Sequence, residues 1–334
     1  MSLYPLIFTP VLKTYVWGGR GLAERLGRVL PDGNVAESWE IAAHQDGTTT
    51  VANGPWQGTP LTALQARLGL GLVGRRAAWA QQRGKFPLLI KLLDAAAPLS
   101  VQVHPPDAYA LAHEGDELGK TEMWVVLHAA PGASVILGVA AGTTPAAFRQ
   151  AVEMGKLEPY LHRVPVQTGD VVCVPAGTLH AILGGVIIAE IQQNSNTTYR
   201  VYDWNRLDAN GQPRELHVKK ALDVIEFAQA EPGLCQPQPA WTQRGIRAFT
   251  LCQNACFVTE RVEMAARAEY TGLADGETLE IWGVIQGEAV AAGGGEQVVM
   301  PAVQFVLMPA SLGPFTLHSQ TETVLLRTYL PPGS

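Results

Sequence analysis

The sequence predicts a mainly β protein: a jelly-roll β-barrel domain with a helical insert, followed by a second, smaller β domain. Short apolar runs of strand length recur along the 334 residues, and turns rich in glycine and proline separate them. Few stretches show the spacing of apolar residues that is typical of a helix. Hydrophobic residues make up 47% of the chain and charged residues 16%, so the composition is that of a compact globular protein.

The first domain is predicted to span residues 1–235. Apolar runs at residues 86–94 and 98–105 have the length of strands. Residues 121–138 are interpreted as a further pair of strands with a turn at Ala130-Pro131-Gly132, and all of these strands are assigned to the barrel. A helical insert is expected at about residues 59–83, where a threonine can cap the helix, a proline takes the first helical position and leucines follow at helical spacing. The domain is therefore interpreted as a β structure with one helical addition.

A second domain is predicted for residues 240–334. The segment Pro232–Pro239 contains three prolines and a glycine and is interpreted as a linker. Beyond it, short strands alternate with turns at Asp275-Gly276 and at residues 293–295. This rhythm is similar to that of the first domain, but no comparable set of metal ligands accompanies it. A smaller, metal-free β domain is expected.

Charge and composition restrict the partners. A net charge of -6 and a pI near 5.8 provide no cationic surface for a nucleic acid or for anionic lipid. No uninterrupted apolar run reaches the roughly 18 residues of a membrane span, the N-terminus lacks a basic leader, and the four cysteines are too few for a disulfide framework. We expect a cytoplasmic protein that acts on a small molecule and binds neither nucleic acid nor membrane; its oligomeric state stays open.

Four side chains of the first domain form a predicted metal site. Gln102 and His104 are two residues apart on a predicted strand, so both project from the same face of the sheet. Glu122 begins a strongly apolar strand, where a metal ion would compensate the cost of a buried carboxylate. His180 follows a strand and a Pro-Ala-Gly corner that would deliver it to the mouth of a barrel. These nitrogen and oxygen ligands suit one zinc ion per chain, although iron, manganese or cobalt could occupy the same site.

The spacing before His180 resembles a known motif. Gly169 is followed after five residues by Pro175, and Pro175 after four residues by His180, as in the second conserved motif of the cupin superfamily. The first cupin motif usually carries His-x-His followed closely by Glu, whereas here Gln-x-His is followed by Glu122 eighteen residues after the histidine. This departure indicates a particular branch of the superfamily.

Four segments together resemble the type I phosphomannose isomerases, in particular their short bacterial branch. The resemblance runs from about Pro10 to Leu330. The segments that carry it are Ser100–Pro105, Gly119–Trp124, Pro175–Ala181 and Gln192–Asp203. The resemblance implies a zinc-binding cupin domain, a cupin-like second domain, and reversible isomerisation of mannose 6-phosphate and fructose 6-phosphate through an enediolate.

The same resemblance implies roles for further residues. Glu190 matches an acid/base candidate of the family. Arg200 matches its active-site arginine, whose fixed cationic fork would stabilise an enediolate oxygen or a phosphate. Lys120, two residues before Glu122, would share its face and could bind phosphate or assist proton transfer, and Ser100 could donate to the same phosphate.

Structural alternatives stay open for these residues. Glu190 and Arg200 could form a buried salt bridge with no catalytic role. Lys120 could be a solvated lysine and Ser100 a serine at a strand end. The family commonly has an aspartate where this chain has Asn196.

Two other functions compete with the isomerase. A cupin dioxygenase would need iron or copper, and the carboxamide ligand disfavours it. A sensor would bind a sugar phosphate without converting it; the presence of Glu190 and Arg200 argues against a sensor, whereas Asn196 leaves it open.

Overall fold

The structure is a computed structural model that describes residues 2–207 and 211–333. Within them the chain is mainly β, as predicted. The polar turn that the sequence predicts at residues 208–211 falls, apart from Gly211, outside the described residues.

The strands are numbered in chain order. They are β1 (Phe8–Thr9), β2 (Val11–Lys13), β3 (Glu37–Ile41), β4 (Ala43–His44), β5 (Gly47–Thr48), β6 (Thr50–Val51), β7 (Leu88–Ala95), β8 (Val101–Val103), β9 (Glu122–Ala129), β10 (Ser134–Val139), β11 (Leu161–Pro165), β12 (Val171–Val174), β13 (His180–Ile182), β14 (Val186–Gln193), β15 (Tyr199–Tyr202), β16 (Gln238–Gln243), β17 (Ile246–Gln253), β18 (Val258–Met264), β19 (Glu269–Ala274), β20 (Glu280–Gln286), β21 (Glu288–Gly293), β22 (Glu296–Pro301), β23 (Phe305–Met308), β24 (Gly313–Ser319) and β25 (Thr323–Tyr329).

The helices are short. The α-helices are α1 (Gly21–Glu24), α2 (Leu61–Leu68), α3 (Leu70–Val73), α4 (Ala78–Gln82), α5 (Asp107–His113), α6 (Pro145–Glu153) and α7 (Val218–Val224), and 3-10 turns occupy Gly54–Trp56, Arg75–Ala77 and Glu158–Tyr160. Helix α6 begins where Thr144 accepts a hydrogen bond from the backbone N of Ala147 and Pro145 takes the first helical position. Among the described residues, none of these helices combines the length and the apolar character needed to cross a bilayer.

The chain divides into two compact units, and each is built from more than one segment. Unit 1 comprises Met1–Val11, Trp39–Ile90 and Gln236–Ser334, and unit 2 comprises Leu12–Ser38 and Lys91–Cys235. The break after Cys235 lies inside the predicted linker.

Unit 2 holds its core between two sheets. One has the strand order β11-β10-β13-β8-β15, and the other has the order β12-β9-β14-β7-β3-β2. Trp124 and Ile188 of the second sheet pack with Leu137 and Ile182 of the first in one buried cluster. Strands β9 and β14 are apolar along most of their length because both of their faces are covered.

Unit 1 also contains two larger sheets. Their strand orders are β16-β17-β18-β25-β20-β23 and β19-β24-β21-β22. Trp282 and Val306 of the first sheet pack with Phe315 and Leu317 of the second. Buried and exposed residues alternate in β22, whose alternate residues Val298 and Met300 are buried.

The helical insert belongs to unit 1, whereas the sequence assigned it to the predicted domain 1–235. Residues of the insert bond directly to the C-terminal strands and turns: Arg75 N donates to Gly276 O at 2.9 Å, and Ala310 N donates to Leu72 O at 3.0 Å. Sequence order assigned the insert to its neighbours along the chain, whereas these backbone bonds tie it to residues more than 200 positions away.

The start of the insert also differs by one residue from the prediction. Helix α2 begins at Leu61, so Pro60 is its N-cap residue and Thr59 lies outside the helix. No side chain caps this end. The proline still fits, because an N-cap residue has extended backbone angles and Pro60 adopts them.

Candidate metal centre and active site

The five-stranded sheet of unit 2 aligns three candidate residues in one row. His180, the first residue of β13, lies opposite Gln102 of β8 in the antiparallel register, and Arg200 of β15 lies opposite Gln102 on its other side. Directly opposite residues point to the same face of a sheet. The strand order, which places β8 between β13 and β15, therefore joins residues that are far apart in sequence.

The six-stranded sheet supplies the carboxylates. Glu122 is the first residue of β9 and shares a face with Trp124, and Glu190 of β14 lies opposite Trp124. Trp124 belongs to the core between the two sheets. Glu122 and Glu190 are therefore directed into the interior of unit 2, and both are buried.

Three of the predicted ligands form a tight cluster. Glu122 Oε2 lies 3.4 Å from His104 Nε2, and Glu122 Oε1 lies 3.4 Å from His180 Nε2. One ligand atom from each residue lies within 4.8 Å of the others. Gln102 Nε2 lies 3.4 Å from His180 Nε2, so the fourth predicted ligand reaches the same place.

Backbone carbonyls orient the two imidazoles. His104 Nδ1 lies 2.8 Å from Thr197 O, and His180 Nδ1 lies 2.9 Å from Thr178 O. Because a carbonyl only accepts, each Nδ1 carries the proton and donates it. Each Nε2 then presents a lone pair toward Glu122, which is the form of histidine that binds metals.

The electrostatic state of the cluster also suits a cation. Burial, together with the charge of Lys120, lowers the pKa of His104 to about 3, and burial lowers the pKa of His180. Burial alone would raise the pKa of Glu122, but the charge of Lys120 and the contact with His104 hold this pKa well below its ordinary value. Two neutral imidazoles and one carboxylate are thus available as donors near neutral pH.

Lys120 provides a test of whether the cluster accepts a cation. Its side chain is buried; Nζ lies 2.9 Å from His104 Nε2 and donates a short hydrogen bond to Glu122 Oε2. A positive group thus sits among the donors that a metal would use, and the residues fit a divalent ion. Gln102 would bind through Oε1, which here accepts from Ser100 Oγ at 3.5 Å, so its amide would have to turn over.

Glu190 lies next to two lysines and does not pair with Arg200, its partner in the salt-bridge alternative. Its Oε1 lies 3.4 Å from Lys91 Nζ and 3.9 Å from Lys120 Nζ. Arg200 instead donates to Ser100 Oγ at 3.2 Å and to Glu215 O at 2.9 Å. The alternative of a Glu190–Arg200 salt bridge is therefore wrong, and so is that of a solvated Lys120, which is buried.

Sequence reasoning missed Lys91 and Glu37. Both are buried or nearly so, and Lys91 Nζ lies 3.8 Å from Glu37 Oε2. Charges thus alternate along Glu37, Lys91, Glu190, Lys120 and Glu122, with each neighbouring pair within 4 Å. The signal for Lys91 was present, because it is a charged residue with three apolar residues before it and two after it in β7.

A cavity of about 300 Å³ opens onto this chain of charges. Ser100, Gln102, Lys120, Glu190 and Arg200 all line it. Its volume is at the lower end of the range for small-molecule sites, roughly 300–1,000 Å³. The cavity walls are mainly polar and charged.

A second group of charges surrounds Asp203 near the cavity. Its carboxylate accepts from Arg214 Nε at 2.7 Å and from Arg206. Arg214 lines the cavity with Arg200, and burial and the charge of Arg214 lower the pKa of Arg200. No sequence pattern indicated Arg214, whose position near the cavity depends on its ion pair with Asp203.

The chain is similar to known proteins over most of its length. The family model for the catalytic domain of type I phosphomannose isomerase matches residues 6–119. Mannose-6-phosphate isomerase ManA of Bacillus subtilis is 37% identical over 328 residues, which cover 97% of this chain and 99% of that protein. Mannose-6-phosphate isomerase of Streptococcus mutans is 34% identical over 321 residues, which cover 96% of this chain and 97% of that protein.

A solved structure agrees with these sequence relatives. The crystal structure of mannose 6-phosphate isomerase from B. subtilis matches with a TM-score of 0.84 at 34% identity and covers 97% of this chain and 99% of that one. The fold and the site define a mainly β protein with a buried His-Glu-His cluster able to hold a metal ion. The chain belongs to the type I phosphomannose isomerase family, which confirms the predicted enzyme family.

Proposed function

We propose that this chain is a zinc-dependent aldose-ketose isomerase that interconverts mannose 6-phosphate and fructose 6-phosphate. The observation that carries the proposal is the convergence of His104, Glu122 and His180 beside the ionisable groups of one polar cavity, in a chain of this family. A cytoplasmic location and a cupin jelly-roll form of each pair of sheets are part of the same proposal.

Gln102, His104, Glu122 and His180 would hold the zinc ion. When bound, the ion supplies Lewis acidity that polarises the carbonyl and hydroxyl oxygens of the sugar and stabilises enediolate charge. The preference for zinc rests on the two imidazole nitrogens combined with oxygen donors. The carbonyls behind each imidazole would keep the ligand set aligned.

Glu190 is the proposed acid/base group. Its carboxylate would accept the proton from C2 of the aldose and return it to C1, while the hydroxyl proton on O2 passes to O1; together these two transfers yield the ketose. Burial and the charge of Glu122 raise the pKa of Glu190, while Lys120 and Lys91 act in the opposite direction. A raised pKa favours proton exchange near neutrality, because it makes the carboxylate a stronger base.

Arg200, Ser100 and Lys120 are proposed to bind the substrate. Arg200 is held by Ser100 and by the carbonyl of Glu215, so its guanidinium is preorganised beside the cavity. Its charge would stabilise the enediolate or the phosphate without taking part in proton transfer. At present the ammonium of Lys120 contacts His104 and Glu122. When a metal ion binds these two ligands instead, Lys120 could bind phosphate or assist proton transfer.

The test is an isomerase assay on purified protein of known metal content. Fructose 6-phosphate formation from mannose 6-phosphate is followed before chelation, after chelation and after zinc is restored. We expect about one zinc per chain, with turnover lost on chelation and regained with zinc. Turnover that survives complete metal removal would contradict the zinc proposal, tight sugar-phosphate binding without turnover would favour the sensor, and oxygen consumption would favour the dioxygenase.

A further inference from the structure

The interior of unit 1 contains a guanidinium that the proposed reaction does not use. Arg327 of β25 donates from Nε to Glu280 Oε2 at 3.0 Å and from Nη1 to Glu260 Oε2 at 3.4 Å. Its Nη2 donates to Glu280 Oε1, so the contact with Glu280 is bidentate. Both carboxylates are buried, with 4% of Glu260 and 6% of Glu280 exposed.

Three aromatic rings complete the surroundings of this guanidinium. Its Cζ lies 4.9 Å from the ring centre of Tyr329, 5.4 Å from that of Trp282 and 5.8 Å from that of Tyr270. Aromatic faces attract cations at such distances. We call the two carboxylates and these three rings the cation cage.

The carboxylates of the cation cage are held independently of Arg327. Trp282 Nε1 donates to Glu280 Oε2 at 2.8 Å. Trp241 Nε1 donates to Glu260 Oε2 at 3.2 Å, and Tyr329 Oη donates to Glu260 Oε1 at 3.4 Å. The two carboxylate groups would therefore keep their positions if the arginine side chain were removed.

The cation cage repeats the register of the candidate metal centre. Strands β9 and β20 begin with Glu122–Trp124 and Glu280–Trp282, and in both the indole donates to the glutamate, at 3.0 and 2.8 Å. The next strand places Glu190 opposite the tryptophan in unit 2 and Arg327 opposite it in unit 1. Each unit thus combines a Glu-x-Trp strand start with a charged partner, which is buried in unit 2 and partly buried in unit 1.

We infer that unit 1 contains a complete cation-binding site whose resident cation is the side chain of Arg327. Emptied of that side chain, the cation cage would bind a small planar organic cation of the guanidinium type. The bidentate contact with Glu280 and the three ring faces select a flat, forked cation over a compact ammonium. The inference is independent of the isomerase activity.

The ionisation of Arg327 agrees with this assignment. Burial opposes its charge, but the charge and hydrogen bonds of Glu280 outweigh burial and raise the pKa of the guanidinium above its ordinary value. The guanidinium therefore stays charged, and the buried carboxylates keep a counter-ion.

Chemical rescue of Arg327→Ala in the full chain tests the inference. The variant leaves two buried carboxylates without a counter-ion, so we expect its Tm to fall by about 5–10 °C. Methylguanidinium at low millimolar concentration should restore at least half of this loss in a saturable way and bind once per chain by calorimetry. Methylammonium at equal ionic strength should restore almost none.

Arg247→Ala is the matched control, because Arg247 forms an exposed pair with Glu263 at 2.9 Å. Its Tm should change little and should not respond to methylguanidinium. Any of three results with Arg327→Ala would overturn the inference: equal rescue by methylammonium, rescue by manganese alone, or no rescue by any cation. If Arg327→Ala does not fold, refolding with methylguanidinium should recover soluble protein where methylammonium does not, and failure to do so would also overturn it.

Discussion

At His104 and His180, a backbone carbonyl decides which ring nitrogen is free to bind a metal. The carbonyls of Thr197 and Thr178 each accept a hydrogen bond from a protonated Nδ1. Both Nε2 atoms are therefore unprotonated and direct their lone pairs toward Glu122. The site is therefore assembled by main-chain geometry as well as by the ligands themselves.

His104→Ala should abolish metal binding and turnover together. Removing one nitrogen donor leaves an incomplete ligand set, and loss of a metal ligand commonly costs more than the 10–100-fold in affinity that is typical of outer-shell changes. We expect zinc content to fall from about one per chain to near zero, as measured by elemental analysis. His113→Ala, at an exposed position in α5, should keep both zinc and activity; equal loss in this control would point to general instability.

Asp203 should contribute a pH-dependent part of the stability. Burial alone would raise its pKa, but hydrogen bonds from Arg214 and Arg206 hold the folded-state pKa below the ordinary value of 3.8. The contribution of Asp203 to the free energy of unfolding is therefore present above pH 3.8. It is lost as the pH falls through the lower pKa that Asp203 has in the folded state. Asp203→Asn should lower Tm at pH 7, and its difference from wild type should shrink below pH 3.8. Asp32→Asn, an exposed control, should show no such difference.

The spacing of residues along the sequence predicted part of the site, but it could not predict the rest. The two-residue intervals between Gln102 and His104, and between Lys120 and Glu122, report a shared face because strands alternate. The partner of Glu190 could not be found in this way. Lys91 reaches Glu190 from β7, and only the strand order of the folded sheet makes β7 a neighbour of β14.

Of the five alternating charges of the site, Glu37 begins β3 and Lys120 precedes β9, whereas strands β7, β9 and β14 carry Lys91, Glu122 and Glu190. Each contributes one or more charged residues to an otherwise apolar strand. Buried charges of one sign would be costly, whereas alternation compensates each of them. The sheet therefore keeps Glu190 ionisable in the interior.

Lys91→Met should slow catalysis and move its pH dependence. The charges facing Glu190 are Lys91, Lys120, Glu122 and Glu37, and Lys91 acts to lower its pKa. Without Lys91 the carboxylate protonates at higher pH, so the acid limb of kcat should move upward and kcat should fall about 10–100-fold. Steady-state kinetics across pH would measure both effects.

Lys91→Arg keeps the charge and should recover most of kcat. Lys156→Met, at an exposed position, is the surface control. An acid limb that does not move in Lys91→Met would contradict the assignment of Glu190 as the base.

The helical insert shows where local patterns stop being informative. Its helices lie within residues 61–82, inside the predicted range of 59–83, although no side chain caps the first of them. Its membership of unit 1 depends on backbone bonds to residues 276 and 310, which leave no trace in the insert's own sequence. Local propensity thus predicted the element but not its unit.

At the scale of the whole molecule, neither unit is a continuous stretch of chain. Unit 1 takes residues from both ends, and Leu6 and Leu307 exchange backbone hydrogen bonds at 2.9 and 2.8 Å. The predicted first domain, residues 1–235, therefore contains segments whose partners lie beyond it.

A fragment of residues 1–235 should not fold as the full chain does. It would expose Leu6 and Leu72, both fully buried in the intact unit, and leave their backbone groups without partners. Limited proteolysis should cleave it within residues 39–90 at least tenfold faster than the full chain, with non-cooperative thermal unfolding. A cooperative, protease-resistant fragment would contradict the two-unit division.

The ammonium of Lys120 has one further consequence. Because it already compensates Glu122 and contacts His104, a chain stripped of its ion should retain its architecture rather than collapse around a bare carboxylate. Under the proposed zinc dependence, loss of the ion would then stop turnover reversibly, and restored zinc would reactivate existing molecules without new synthesis.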